Sequence, residues 1–449
     1  MKKNYLLGMA LMASLSFYSC DKEVIYVQDG NGVESVTDGA QIITLQVENG
    51  GDGLATRAGR PLYSAEAKQT IENVKLWICD NAGKVVYVNT IETWDTSSSE
   101  YNTNGHGRQT TIELKDGDKL AEGTYKVYAV GYSNNSDYTL TNVTGVTKDQ
   151  TFNENMVLSC RTVGEEIFAG QMELTVTTGK GFKKPVVLNR QVAGAFAYVK
   201  DIPYMADAKY LKLVASAQNQ SLVLGNFNSV DLTGNGSGNG TNVKYVVNGT
   251  SGKSDGDYAY VISTIDLNEW FTTIKDEDGD NLIDTDNNWA KPDIYNGHAL
   301  FEKGSVFGGE FVIPFACVDG KQTLTLQLTK ENGDVLRSWK VNLGSADEQV
   351  TSNENNNKVT YWTGLAWEEY ATVESANSYS LVRNHLYGIG TRMYDNPSNP
   401  GKDPNPTDPD PDPETPDDDE DKPESLNNKQ ELVLKVNDNW EVIHGMELE

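Results

Sequence analysis

Residues 431–449, ELVLKVNDNWEVIHGMELE, alternate between apolar and polar side chains along most of their length. This alternation predicts a β-strand that turns one face toward an apolar groove and the other toward solvent. Asp438 and Asn439 interrupt the pattern and indicate a kink between two short strands. Val433 and Ile443 are apolar exceptions on the polar face. The apolar face consists of Leu432, Leu434, Val436, Trp440, Val442, Met446 and Leu448.

A spacer of different composition, residues 396–426, precedes this strand and is dense in Pro, Asp and Glu. Such a segment cannot bury enough apolar surface to fold, and at ~3.1 Å per residue it reaches about 90 Å. A lone strand needs a sheet edge and a groove. A strand that pairs within its own chain does not need a spacer of about thirty residues. We therefore expect residues 427–449 to be donated to a neighbouring molecule.

A second alternating stretch, residues 41–47 (QIITLQV), lies near the other end of the chain. Ile43, Leu45 and Val47 present nearly the same face as the start of the tail strand, so one groove could hold either strand;. If the N-terminal strand fills that groove first, the subunit has a complete core and cannot assemble. Its removal would open the groove to a neighbour's tail, and head-to-tail use of unlike surfaces gives an open filament.

Two arginines, Arg57 and Arg60, follow the N-terminal strand in a Gly- and Asp-rich segment. An exposed segment of this kind is where a trypsin-like protease would cut. Arg57 is the better candidate, because Arg60 precedes Pro61, whose ring hinders cleavage;.

A targeting segment opens the chain. Lys2 and Lys3 precede a short apolar stretch, residues 5–17, which is too short to remain as a membrane span;. Ser19 and Cys20 follow shortly after this stretch, as in bacterial lipoprotein signals with an acylated cysteine. A plain secretory signal with a chance cysteine is the alternative. We expect residues 1–20 to be a signal peptide.

The chain between the two ends consists of short strand-like segments separated by turn sequences, with no long amphipathic helix. This spacing predicts β-sandwiches, and 449 residues are enough for two domains;. The predicted segments are a propeptide at 21–57, sandwich domains at 58–188 and 189–395, the spacer, and the donor strand. The net charge of −28 argues against a nucleic-acid partner, because a phosphate backbone requires a basic footprint;.

Sites for chemistry are sparse. The four histidines are scattered, and no catalytic motif is present, so we expect no enzymatic role;. Residues 276–284, DEDGDNLID, place carboxylates at alternate positions, which is typical of an EF-hand-like calcium loop;. Asn281 replaces the usual glycine, so a solvated acidic loop is the alternative, and we expect at most a weak calcium site and no other cofactor. The candidate ligands are Asp276, Asp278, Asp280 and Asp284.

Cysteines and tryptophans leave two questions open. Cys79 follows an apolar run and is expected to be a buried, unreactive thiol, whereas the spacing leaves a Cys160–Cys317 disulfide open;. Tryptophans could line a sugar-binding face or pack in a core. A lipid-anchored surface protein that binds glycans without processing is therefore a second hypothesis. The tryptophans concerned are Trp77, Trp270, Trp289 and Trp367.

Taken in order, several features resemble the fimbrillins of Bacteroidetes type V pili, particularly the shaft subunit of the short fimbriae. They are the lipoprotein signal, ATRAG at 55–59, the segment 189–198, VRNHLY at 382–387, the Asp/Pro spacer and the closing strand with Trp440. The resemblance implies two transthyretin-like β-sandwich domains, a donor-strand extension and cleavage by an arginine-specific or trypsin-like protease.

Carried onto this chain, the resemblance places the lipid on Cys20, the scissile bond after Arg57 and the donor segment at 432–448. It implies a fimbria on the cell surface that supports adhesion and colonisation, and a precursor anchored by its lipid in the outer membrane. The implied partners are other copies of the chain, joined head-to-tail, together with anchor and tip pilins. A tip or anchor subunit is the alternative within the family.

Overall fold

The computed structural model describes most of the chain outside its two ends and the acidic spacer. The described residues are 26–28, 34–36, 39–48, 71–100, 107–134, 136–160, 165–216, 219–225, 244–250, 260–290, 294–295, 298–299, 301–315, 323–343, 358–371, 380–384, 386–390, 423–427 and 431–437. They form strands in several sheets, which confirms the predicted all-β class. None of the helices in these ranges has the length and apolar character needed to cross a membrane.

Among the described residues, the first half of the chain contains eleven strands, and all of them except the ninth form one large sheet. The eleven strands are β1 (Tyr26–Gln28), β2 (Glu34–Val36), β3 (Gln41–Glu48), β4 (Asn73–Cys79), β5 (Val85–Ile91), β6 (Ser99–Glu100), β7 (Gly107–Leu114), β8 (Gly123–Tyr132), β9 (Val157–Ser159), β10 (Phe168–Val176) and β11 (Phe182–Arg190). Two single-turn helices, α1 (Trp94–Ser97) and α2 (Thr141–Thr144), interrupt them. The sheet runs in the order β5-β4-β8-β10-β11-β3-β7-β6, with β2 beside β11.

This first sheet folds on itself at the step from β10 to β11, where the two strands share only two residue pairs. Gly170 permits the crossing, because a Cβ there would lie 1.9 Å from the carbonyl oxygen of Val187. The fold encloses a core of alternate residues from both layers;. Its members include Ile43, Leu45, Val47, Val74, Leu76, Ile78, Ile112, Leu114, Val127, Leu174, Val186 and Leu188.

The second half of the chain builds another large sheet and three small ones. Its strands are β12 (Ala193–Lys200), β13 (Tyr210–Ala215), β14 (Ser221–Val223), β15 (Lys244–Val247), β16 (Gly249–Thr250), β17 (Tyr260–Asp266), β18 (Ile294–Tyr295), β19 (His298–Ala299), β20 (Val306–Val312), β21 (Leu324–Thr329), β22 (Val335–Leu343), β23 (Lys358–Trp362), β24 (Trp367–Ala371), β25 (Leu386–Ile389), β26 (Glu424–Ser425) and β27 (Glu431–Asn437). The large sheet runs in the order β17-β13-β21-β22-β27-β25-β12-β20.

The second large sheet curls on itself, because its end strands β17 and β20 contact each other. Gly308 of β20 allows this approach, since a Cβ there would lie 2.6 Å from Ile265 of β17. The two halves of the chain also share a small sheet, in which β9 pairs with β14. One apolar cluster runs from the outer face of β4 and β8 into the second half. The halves are therefore packed together over a continuous interface.

The buried aromatic and thiol groups lie in that shared cluster. Cys79 is 1% exposed, as predicted for a structural thiol, and Cys160 is partly buried. Cys317 lies outside the described residues. Trp77 and Trp270 are buried in the cluster and Trp289 packs against it, so core packing explains these three tryptophans.

Candidate functional site

The first candidate site is the position of β3, which we call the N-terminal slot and define as the space between β11 and β7. β3 runs parallel to β11 and antiparallel to β7, so it lies inside the sheet and not at its edge. Leu45 is opposite Val186 of β11 and Thr110 of β7. Among the described strands, β7 pairs only with β3 and with the short β6. β3 therefore holds β7 and β6 on the sheet.

Three alternate side chains anchor β3 in this slot. Ile43, Leu45 and Val47 are each 0% exposed and lie in the core of the first sheet. Burial of side chains of this size contributes ~1.5–3 kcal/mol each, or about 5–9 kcal/mol together. The predicted apolar face of residues 41–47 thus turns inward.

Polar contacts fix the start of β3. The Gln41 side-chain amide donates to the Leu120 carbonyl oxygen at 3.0 Å, and its carbonyl oxygen accepts from the Leu120 N–H at 2.7 Å. The Lys119 ammonium donates to the Gly39 carbonyl oxygen at 3.1 Å. These hydrogen bonds fix the register of β3. None of them involves the residues that directly follow β3 in the chain.

The second candidate site is the position of β27, which we call the C-terminal slot and define as the space between β22 and β25. β27 runs parallel to β22 and antiparallel to β25, so it has the same strand surroundings as β3. Leu432 is opposite Val341 and is 0% exposed. The strand links the two parts of the second large sheet.

This arrangement corrects one expectation. The tail strand was expected to stay outside its own body, but residues 431–437 pair within their own second sheet. Within one chain β3 and β27 occupy slots in different sheets, and the sharing of one groove by β3 and a neighbour's tail stays a prediction. The physical reason is that the second sheet has its own gap between β22 and β25, which the tail's alternating strand fills.

The end of the predicted spacer is also structured. Leu426 is 0% exposed, and its N–H donates to the Lys200 carbonyl oxygen at 2.9 Å. The Ser425 hydroxyl donates to the Asp201 carboxylate at 2.6 Å. Residues 424–425 form β26 against β12, so the acidic spacer ends before this apolar anchor. Cys20, Arg57, Arg60 and the tail residues Trp440, Val442, Met446 and Leu448 lie outside the described residues.

A buried polar junction forms around the sequence neighbours Arg190 and Gln191. The Arg190 guanidinium, at the end of β11, donates to the Glu166 carboxylate at 2.7 and 2.9 Å, and both side chains are at most 1% exposed. The Arg383 guanidinium donates to the Gln191 side-chain oxygen at 3.2 Å and to the Gly225 carbonyl oxygen at 3.2 Å. Arg383 belongs to the VRNHLY stretch that leads into β25. Sequence reasoning singled out that stretch but not its partners, because they are far away along the chain.

The acidic loop brings together three of its four predicted ligands. Carboxylate oxygens of Asp276, Asp278 and Asp284 all lie within 4.8 Å of one another. Asp280 lies outside this group, and its carboxylate accepts from the Leu282 N–H at 2.7 Å. Carboxylate oxygens are ligands that calcium prefers, so the three residues fit a hard cation.

Charge crowding in this loop is visible at Asp278. A backbone hydrogen bond from Asp280 lowers the pKa of Asp278, but desolvation and the charges of Asp280, Asp284 and Asp276 outweigh it, and the pKa is raised overall. Asn281 has a φ of +68°, so it adopts the left-handed conformation that glycine usually supplies in such loops;. The substitution of asparagine for glycine therefore does not prevent the turn.

No protein-family model and no curated protein matches the sequence. Solved structures similar to the chain include the tip fimbrial protein Mfa3 from Porphyromonas gingivalis with a C-terminal truncation, at 10% identity and a TM-score of 0.36, covering 78% of this chain and 93% of that chain. A fimbrial assembly protein from Parabacteroides distasonis is similar at 14% identity and a TM-score of 0.34, covering 80% and 93%. The fimbrial anchor protein Mfa2 from Porphyromonas gingivalis follows at 12% identity and a TM-score of 0.32, covering 76% and 100%.

Proposed function

We propose that this chain is a structural subunit of a cell-surface fimbria, made as a lipoprotein precursor and polymerised by strand exchange. The observation that carries the proposal is β3, a strand encoded upstream of Arg57 that fills the middle of the first sheet with three fully buried side chains. A cut after Arg57 would leave β3 held only by non-covalent contacts. A strand of the same apolar pattern could then replace it.

The replacing strand is the tail of a neighbouring copy. β27 already lies between one parallel and one antiparallel neighbour, which is the environment that the N-terminal slot offers. Because β27 also pairs within its own sheet and buries Leu432 there, the net free energy of exchange is the difference between two slots and not the full burial of a strand;. The spacer supplies the reach, at ~3.1 Å per extended residue.

Maturation follows from the same parts. In the precursor the acyl chain on Cys20 holds the protein at the outer membrane, and β3 blocks assembly. An arginine-specific or trypsin-like protease cuts after Arg57, or less readily after Arg60, and releases the lipid-bearing segment together with β3. The subunit then joins other copies head-to-tail and meets anchor and tip pilins at the ends of the filament, which would support adhesion and colonisation.

Limited proteolysis tests this proposal. Trypsin treatment of the purified precursor should shift the N-terminus to Ala58 and produce ladders that resist mild SDS. A new N-terminus at Pro61 would mean cleavage after Arg60, with the mechanism intact. The matched control, a double variant with Arg57→Ala and Arg60→Ala, should stay monomeric. Equal polymerisation by a protein lacking residues 427–449 would refute the proposal.

A second candidate function is that of an unprocessed glycan-binding surface protein. It is favoured by the pairing of β27 within its own chain, because this pairing gives a monomer in which both slots are filled. It is also favoured by a pair of partly buried tryptophans, Trp362 and Trp367, with ring centroids 5.3 Å apart beside Leu365, which is 92% exposed. This alternative predicts a stable surface monomer that retains residues 21–57, and a sugar affinity that Trp362→Ala abolishes. Immunogold labelling along a filament would exclude it.

A further inference from the structure

Thr44 is the polar residue at the centre of β3 that solvent does not reach. It is 6% exposed, whereas Ile42 and Gln46 on the same face of the strand are half-buried. The Thr44 hydroxyl oxygen is fully buried and has no hydrogen-bond partner. Burying an unsatisfied hydroxyl costs free energy, because its bonds to water are lost and nothing replaces them. β3 belongs to the predicted propeptide, residues 21–57, which we call the leader. This strand of the leader therefore fits the N-terminal slot imperfectly at position 44.

The residues opposite Thr44, including the hydroxyl of Thr111, make no hydrogen bond to its side chain. Its neighbours across the two strand pairs are Pro185 of β11 and Thr111 of β7. Pro185 has no backbone N–H to donate. A residue of the same shape without the hydroxyl would fill the position at no such cost.

The tail strand carries that residue. The first three residues of its apolar face are Leu432, Leu434 and Val436. When these three are placed on Ile43, Leu45 and Val47, Val433 falls on Thr44. A shift of two residues in one direction would put Asp438 into the Val47 position, and a shift in the other would put Gln430 into the Ile43 position. A shift of one residue would turn the apolar face outward. Only one register buries three apolar side chains, and in that register valine replaces threonine.

This register also accounts for Val433, which breaks the alternation of the tail. A polar residue would be expected on the outer face of an ordinary half-exposed strand. Position 44 of the slot is buried on that face as well, so an apolar residue suits it.

We infer that Thr44 and Val433 bias strand exchange, so that the N-terminal slot prefers a neighbour's tail over the leader's own strand. The inference rests on the proposed function and adds a specificity determinant to it. Removing one unsatisfied buried hydroxyl should make the tail strand bind the N-terminal slot roughly tenfold more tightly than β3 does. The leader strand thus binds well enough to complete the core of the precursor and is the weaker occupant once proteolysis has cut it free.

A displacement assay on the trypsin-processed full chain tests this. The cleaved leader, still bound in the N-terminal slot, is challenged with synthetic peptides of residues 427–449, either wild-type or Val433→Thr. The wild-type peptide should displace the leader about tenfold more effectively than the variant. In a precursor with Thr44→Val, the leader should be retained about tenfold longer after cutting, and the uncut precursor should unfold at higher urea. Thr175→Val, an exposed threonine of β10 in the same sheet, is the matched control and should change neither result.

The outcomes separate this inference from the proposed function. If the wild-type peptide displaces the leader and neither Val433→Thr nor Thr44→Val changes the result, the bias is refuted while strand exchange stands. If no tail peptide enters the processed protein at all, strand exchange itself fails and the bias with it.

Discussion

Ile43, Leu45 and Val47 are fully buried because β3 has a paired strand on each side and a second layer of the sheet beneath it. Their neighbour Thr44, on the opposite face of the strand, is also buried. Single residues in this protein thus derive their roles from the strand position that they occupy. Two other residue positions, in the shared core and in the acidic loop, lead to predictions at this scale.

Cys79 should be chemically silent in the folded protein. Burial and the charge of Asp80 raise its thiol pKa to about 12, against a smaller lowering by Lys126. Since the thiolate is the reactive form, iodoacetamide at pH 8 should leave Cys79 unmodified in the native protein and modify it fully in urea. Mass spectrometry of the alkylated peptides measures this. Rapid native modification of Cys79 would contradict its burial.

Calcium should bind weakly to the acidic loop and stabilise it. The raised pKa of Asp278 means that its ionised form is disfavoured in the folded state, so the penalty is present above that pKa and is relieved as the pH falls through it;. A bound cation would relieve the same repulsion at neutral pH. Calcium should therefore raise the melting temperature slightly, EDTA should reverse the shift, and Asp278→Asn should abolish it while stabilising the metal-free protein. A calorimetric titration with no calcium-specific heat would exclude the site.

At the scale of elements, β3 and β27 play equivalent parts in their own sheets. Each lies parallel to one neighbour and antiparallel to the other, and each joins two portions of a sheet. β3 is the more isolated in sequence, because the strands that flank it come from residues 107–114 and 182–190. Removal of β3 would therefore leave β7 without its main partner.

Hydrogen exchange should report this dependence. After trypsin cleavage and removal of the leader, the amides of β7 should exchange faster than in the precursor, because β6 is their only other strand partner in the described structure;. The amides of β8, which pairs with β4 and β10, serve as the internal control. Addition of the tail peptide should restore protection in β7. Unchanged protection of β7 in the emptied protein would show that β3 does not hold it.

The sequence predicts these elements better than it predicts their pairing. The alternation in residues 41–47 and 431–437 identified both strands, and in residues 41–47 it also identified the buried face, because a period of two determines which side chains share a face;. It did not identify the neighbours, because β11 and β22 are selected by contacts between distant parts of the chain. In the acidic loop, local spacing brought three carboxylates together but could not show that Asp280 would cap Leu282.

At the scale of the whole molecule, the two slots are joined through a common interior. β11 borders the N-terminal slot and ends at Arg190, within the buried junction. The same junction holds Arg383, three residues before the start of β25, which borders the C-terminal slot. The sandwich halves therefore form one packed body, although each supplies its own strand site. Under the proposed strand exchange, the tail strand must leave the C-terminal slot before the chain can polymerise.

A disulfide that holds the tail strand in the C-terminal slot should block assembly. Lys340 of β22 and Glu431 of β27 are direct neighbours across a parallel pair, and adjacent strands lie ~4.8 Å apart, within the range that a disulfide spans;. The double variant Lys340→Cys, Glu431→Cys should be cut normally by trypsin but remain monomeric under oxidising conditions. Reduction should release β27 and restore filaments to the wild-type level, as seen by size-exclusion chromatography and electron microscopy. The single variant Glu431→Cys controls for bonds to the native cysteines and should assemble in both conditions. Filaments of normal length from the oxidised double variant would show that β27 never leaves its own sheet during assembly, and the donor would then have to be another segment.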